Sequence, residues 1–105
     1  MAGLRVRSCG ASLHVRLEEL RERAQALVAQ YQELKDAEDE EEGLVRRVGV
    51  LTAIAANHDA RAAVYDRLVT AEPSLSDEHR DRAEHQRSNA YNARKQALLT
   101  TRRTS

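Results

Sequence analysis

The chain has 105 residues, and its 17 basic and 17 acidic side chains cancel, so no overall field draws it to nucleic acid or to a membrane surface. It contains one Pro, four Gly, no Trp and no Phe. Ala, Leu, Arg and Glu dominate instead, and these residues lose little entropy in helices. Because no composition break divides the chain, it is predicted to form one all-α domain over residues 1–105.

The cellular compartment is indicated by two features. The single cysteine, Cys9, excludes an internal disulfide framework and fits a reducing compartment. The start of the chain lacks the apolar run of a signal peptide, and nowhere do eighteen apolar residues follow one another. We therefore expect a cytoplasmic protein that does not contact membranes.

The first third of the chain has apolar or small residues at alternating four- and three-residue spacing. This heptad pattern predicts a helix over about residues 12–37, preceded by an N-terminal arm over residues 1–11. The seam positions are Leu13, Leu17, Leu20, Ala24, Leu27, Tyr31 and Leu34. A parallel homodimer would place Arg16 against Arg21, which disfavours a leucine zipper, so we expect a monomer or a weak dimer.

An acidic run over residues 36–42, followed by Gly43, ends the first seam, and a second seam begins in a different phase. Such a phase jump is typical of a turn between two helices. The second helix is predicted over about residues 40–71, and Pro73 ends it because proline cannot donate a backbone hydrogen bond. Its seam positions are Leu44, Val48, Leu51, Ala55, His58, Ala62, Tyr65 and Val69.

A third helix is predicted over about residues 75–101, with Ser74 or Ser76 in its N-cap region. Its seam is thin, so we expect it to dock more loosely than the others; the positions are Ala83, Ala90, Ala93, Ala97 and Leu98. Short turns impose an antiparallel up-down-up three-helix bundle with the shape of a rod. Its core is predicted to contain Leu20, Leu27, Leu51 and Ile54.

Adding residue numbers across the first turn places Leu20 opposite His58, and the third helix brings Asn89 level with the same histidine. A single histidine on a seam is more often a hydrogen-bonded core residue than a catalyst. We therefore predict a polar contact between His58 and Asn89, with a neutral imidazole in the folded state.

The sequence contains none of the common catalytic or cofactor motifs: there is no glycine-rich phosphate loop, no Cys-x-x-Cys pair and no His-Glu-x-x-His. Asp81 and His85 share a helical face, but two ligands do not complete a metal site. Helical chorismate mutases need cations that point between their helices, and the seams contain no Arg or Lys. We expect a protein that is not an enzyme and that uses no metal or cofactor.

Two segments resemble the tubulin-binding cofactor A family. The first is Leu4-Arg5-Val6-Arg7-Ser8, with Gly10 and then Val15-Arg16-Leu17-Glu18-Glu19, which is similar to the family's opening segment and amphipathic first helix. The second is the acidic turn, residues 34–42, followed by Arg46-Arg47, which resembles the family's acidic turn and paired lysines. The chain length and the three-helix order are similar as well.

The resemblance implies a cytoplasmic, cytoskeleton-associated chaperone that captures β-tubulin and holds it before heterodimer assembly, without nucleotide, metal or catalytic residues. The residues left open an alternative, a coiled-coil structural or adaptor subunit of a larger assembly. A nucleic-acid partner is not expected, because the basic stretch from Arg87 to Arg103 contains a single aromatic residue, Tyr91.

The distribution of charged residues predicts which end of the bundle binds a partner. In an up-down-up bundle the basic end of the third helix returns beside the first turn, so its cations are predicted to lie near the acidic run and to compete with a partner for it. Those cations are Arg94, Lys95, Arg102 and Arg103. The predicted partner-binding residues are Asp39, Glu40, Glu41, Glu42, Arg46 and Arg47.

Overall fold

The computed structural model describes the backbone of residues 2–35 and 41–103, and within those ranges the side chains from residue 10 onward. It is an antiparallel bundle with the helices α1 (Ala2–Lys35), α2 (Glu41–Ala71) and α3 (Ser76–Arg102), and a short 3-10 turn, Pro73–Leu75, connects α2 to α3. Its dimensions of 56 × 22 × 16 Å are those of a rod. The predicted all-α, three-helix, up-down-up architecture is confirmed.

The start of α1 differs from the prediction. The helix begins at Ala2 rather than near residue 12, so residues 2–11 are helical and do not form an arm. No proline interrupts this stretch, and a glycine such as Gly10 costs a helix only about 1 kcal/mol. A Cβ built at Gly10 would lie 3.9 Å from Oε2 of Glu72, so the extended helix passes beside the connection between α2 and α3.

The connection between α2 and α3 follows from Pro73. The N–H of Glu72 donates to the carbonyl of Leu68 at 2.8 Å, and the N–H of Leu75 donates to the carbonyl of Glu72 at 3.0 Å. Leu75, rather than a serine, occupies the N-cap of α3 and makes no side-chain capping bond. Instead, acidic residues in the first turn of α3 stabilise the helix by interacting with the partial positive charge at its N-terminus.

The third helix packs more closely than expected. α3 lies near α2 along its length, whereas in the described residues no Cα of α1 comes within 8 Å of a Cα of α3. The prediction of loose docking was wrong because small side chains let two helix backbones approach, while the leucines of α1 hold it further away. The buried alanines of α3 are Ala83, Ala90, Ala93 and Ala97. Leu98 is exposed, and Thr100 is buried in its place.

The core is made by all three helices. Of the predicted core residues, Leu20, Leu27 and Leu51 are buried, whereas Ile54 is only partly buried. One apolar cluster lies near the α2–α3 connection, and Leu68 at its centre is 0% exposed. The cluster consists of Leu13, Leu17, Leu20, Val64, Tyr65, Leu68 and Ala83.

Candidate functional site

The predicted partner-binding residues have different environments. Asp39 and Glu40 lie outside the described residues. Glu41 and Glu42 are exposed in the first turn of α2, and Arg46 donates to Oε1 of Glu42 at 2.7 Å. These positions are accessible to a partner, so their role stays a prediction.

Arg47, by contrast, is only 6% exposed, so little of its side chain is accessible to a partner. No Arg or Lys was expected among the inward-facing positions, and this expectation was wrong. Arg47 lies three residues after Leu44 and four before Leu51, a spacing that places it on the same helical face as two buried leucines. That spacing is the signal that would have identified it.

The predicted contact of the basic block of α3 with the acidic turn is contradicted at Arg94 and is not tested at its other members. Arg94 forms an ion pair with Asp59, in the middle of α2, rather than with the acidic turn. Asp59 is eighteen residues after Glu41, about 27 Å along the helix axis, so the predicted position of Arg94 was wrong. Contacts of Lys95, Arg102 or Arg103 with the acidic turn stay a prediction.

An open hollow lies between α1 and α2, and all of its lining residues belong to these two helices. Its volume is about 650 Å³. Its apolar part is formed by Leu27, Leu34, Val50 and Ala53, with Gly49 beside them. Its polar lining consists of Arg23, Gln30, Glu33 and Arg46. It therefore adjoins Arg46, one of the residues predicted to bind a partner, and no pattern in the sequence predicted this hollow.

A second hollow, of about 620 Å³, lies between the same two helices nearer the α2–α3 connection. Leu13 and Val64 lie beside Ala60 and Ala63 in its lining, and Arg16 and Arg67 form part of its wall. We refer to the two hollows together as the α1–α2 groove.

Asn57 holds α1 and α2 in register between the two hollows. It is buried, and its Nδ2 donates to the backbone carbonyl of Leu20 at 2.9 Å. The predicted pairing of Leu20 with His58 was therefore displaced by one residue. Val50, Asn57 and Val64 recur every seven residues on the face toward α1, and this spacing could have identified the asparagine.

His58 lies on the other side of α2, toward α3. Its Nδ1 is 2.6 Å from Oε1 of Gln86, so the polar contact with α3 is present, but the predicted partner Asn89 was wrong. Nη2 of Arg61 lies 2.9 Å from the same nitrogen. Burial lowers the pKa of His58 below the ordinary value of 6.5, and nearby Arg61 and His85 lower it further, against the raising effects of Gln86 and Asp59.

The lowered pKa of His58 predicts a pH-dependent stability. Since folding favours the neutral ring, the stabilisation is complete above pH 6.5 and is lost as the pH falls toward the folded-state pKa. We expect His58→Leu to flatten the free energy of unfolding between about pH 5 and 7, measured by denaturant titration. Arg82→Gln is the control, because Arg82 is exposed and is not among the groups that shift the pKa of His58. A profile unchanged by His58→Leu would contradict this prediction.

Glu72 joins all three helices at the opposite end from the acidic turn. His14 of α1 donates to its Oε2 at 2.9 Å, and His79 of α3 donates to its Oε1 at 2.8 Å. His79 is 3% exposed and its ring is stacked on Tyr65, with ring centroids 6.1 Å apart. Residues distant in sequence thus meet at one carboxylate.

The two hydrogen bonds make the contribution of Glu72 to stability depend on pH. The bond from His14, and then that from His79, lowers the pKa of the carboxyl group below 4.5. Its stabilising effect is therefore present above pH 4.5 and is lost as the pH falls through the folded-state pKa. The two hydrogen bonds connect α1 and α3 to the residue that follows α2.

Metal sites and membrane spans were considered for the part of the chain that the structure describes. No group of three His, Cys, Asp or Glu side chains there could hold a metal ion, and Asp81 and His85 form no ion pair with one another. None of the helices, as described, is both long enough and apolar enough to cross a membrane. No family model, no curated protein and no solved structure matches the chain.

Proposed function

We propose that this chain acts by holding another protein against the α1–α2 groove. The observation that carries the proposal is the open hollow of about 650 Å³, which combines an apolar floor with charged walls. Protein contacts combine these features, an apolar centre within a polar rim. Val45, which is 58% exposed one residue before Arg46, adds apolar surface near the same end.

The most specific form of the proposal is a chaperone that holds β-tubulin without nucleotide or metal. This specificity rests on the sequence resemblance, while the groove supplies a surface beside Arg46 and Glu42 on which such a partner can lie. A structural or adaptor subunit is the second candidate. It is favoured by the length of the groove, since side-by-side helix packing uses long seams of this kind.

A substitution at Gly49 tests the groove. Gly49 is exposed, lines the larger hollow, and has no atom within 4 Å of a Cβ added to it. We expect Gly49→Tyr to weaken capture of β-tubulin by occupying the hollow, and Gly49→Ala to leave capture unchanged. Gly49→Ala should also raise the free energy of unfolding by about 0.5–1 kcal/mol, because glycine is a poor helix former.

The measurement is a native gel with α- and β-tubulin offered separately to the wild type and to both variants, with helicity followed by circular dichroism. Equal capture by Gly49→Tyr and Gly49→Ala would show that binding does not use the groove. If neither tubulin chain shifts, while another protein is retained by the wild type and lost by Gly49→Tyr, the adaptor function replaces the tubulin chaperone.

A further inference from the structure

The α1–α2 groove is long enough for a complete helix. Its two hollows lie on the same side of α2, and the residues that line them extend from Arg46 to Arg67. Twenty-one helical steps correspond to about 32 Å, or six turns. The α1–α2 groove is therefore an elongated surface that runs along the axis of the rod.

The floor of the groove lets a helix come close. Between Arg46 and Arg67 the outer face of α2 presents small residues at alternating four- and three-residue spacing, namely Gly49, Ala53, Ala56, Ala60 and Ala63. All five are exposed or only partly buried. Helix axes approach most closely where the contact residues are small, and this spacing matches the apolar seam of a partner helix.

The walls of the groove carry positive charge. Four arginines and one acidic residue, Glu33, line the two hollows; the arginines are Arg16, Arg23, Arg46 and Arg67. Arg16 is 3.9 Å from Glu19, and Arg46 pairs with Glu42. Within the described residues neither Arg23 nor Arg67 has an ion-pair partner. A partner with acidic flanks would satisfy both cations.

From these features we infer that the occupant of the α1–α2 groove is an amphipathic helix of a different protein, with large apolar residues along its seam and acidic residues on its flanks. A second copy of this chain fits less well. If two copies met face to face on this surface, the four arginines of one would approach those of the other, and like charges in contact oppose association.

The inference rests on the proposed function, since it names the kind of segment that the groove holds. It is tested with two labelled 21-residue helical peptides that share one heptad pattern of leucines and differ only in having Glu or Lys on the flanks. Binding is measured by fluorescence anisotropy across a salt series. The acidic peptide should bind more tightly, and its advantage should shrink as salt screens the arginines.

Two double variants test whether the arginines of the groove attract the acidic peptide. Arg23→Gln combined with Arg67→Gln should weaken binding of the acidic peptide by about three- to tenfold, the range spanned by two exposed ion pairs. Arg82→Gln combined with Lys95→Gln removes the same charge from exposed positions on α3. This control should leave binding within about twofold of the wild type.

Four results would overturn the inference. Two concern the peptides: equal affinity for the acidic and the basic peptide, or an equal loss of acidic-peptide binding in the two double variants. The other two are a dimer of this chain at micromolar concentration that Gly49→Tyr abolishes, and binding to phosphatidylserine vesicles without binding to either peptide. Failure of the proposed function is distinguishable. A chain that captures its protein through the groove but does not discriminate between the peptides retains the function and loses the inference. A chain that binds the acidic peptide but no tubulin loses only the tubulin assignment.

Discussion

Leu68→Ala is expected to lower the free energy of unfolding by about 2–5 kcal/mol, the range observed when a large side chain is truncated in a packed core. Leu68 is 0% exposed and lies in the cluster that joins α1, α2 and α3. Domains of this kind have a total stability of only about 5–15 kcal/mol, so the variant should melt far below the wild type. Leu27→Ala should behave similarly, because Leu27 is 3% exposed at the other end of the seam.

The matched control is Leu98→Ala, at a leucine that is 55% exposed on α3. It removes the same atoms from a helix, so it should change the free energy of unfolding by no more than about 0.5 kcal/mol. The measurement is urea denaturation followed by circular dichroism. If Leu68→Ala and Leu98→Ala unfolded at the same urea concentration, the packing of the three helices would have to be different.

Ala55→Leu is expected to lower the free energy of unfolding by about 1–3 kcal/mol, because added methylenes force apart elements that are already in contact. Ala55 is 0% exposed on α2, and the register set by the ion pairs Asp59–Arg94 and Asp66–Arg87 brings the buried Ala97 of α3 level with it. The enlarged side chain would have no free space in this buried position. Unlike Leu68→Ala, which leaves a cavity, this substitution destabilises the core by adding volume to it.

Ala56→Leu provides the comparison from the neighbouring residue. Ala56 is exposed, and leucine is nearly as good a helix former as alanine, so the free energy of unfolding should stay within about 0.5 kcal/mol of the wild type. Thermal melts of the two variants measure the difference. Similar melting temperatures for Ala55→Leu, Ala56→Leu and wild type would mean that α3 does not approach α2 as closely as described.

The number and order of the helices were determined by the sequence. The heptad spacing from Leu13 to Leu34, the change of phase before Leu44 and the stop at Pro73 are local features, and each depends only on neighbouring residues. The observed ends of α2 and α3 accordingly lie within one residue of the predictions. The start of α1 was missed because residues 2–11 carry too few apolar residues to show a helical period.

Contacts between helices were harder to predict. α2 is packed on two sides, so Arg47 and Asn57 are buried although they lie off the single seam read from the sequence. Their burial depends on the angle between the directions of α1 and α3 around α2, which a single seam does not specify; it becomes visible only when a second seven-residue spacing is sought on the same helix. The one-residue shift from His58 to Asn57 opposite Leu20 has the same origin.

The sequence by itself therefore determined an all-α chain of three antiparallel helices and the leucines and alanines that hold them together. Only the tertiary structure decided which polar residues meet, as His14, Glu72 and His79 do, and where an open groove remains between α1 and α2. The physical reason is that helix formation is governed by interactions within a few residues, whereas a site is made by side chains from separate helices. Their relative position depends on the size of the residues packed between them.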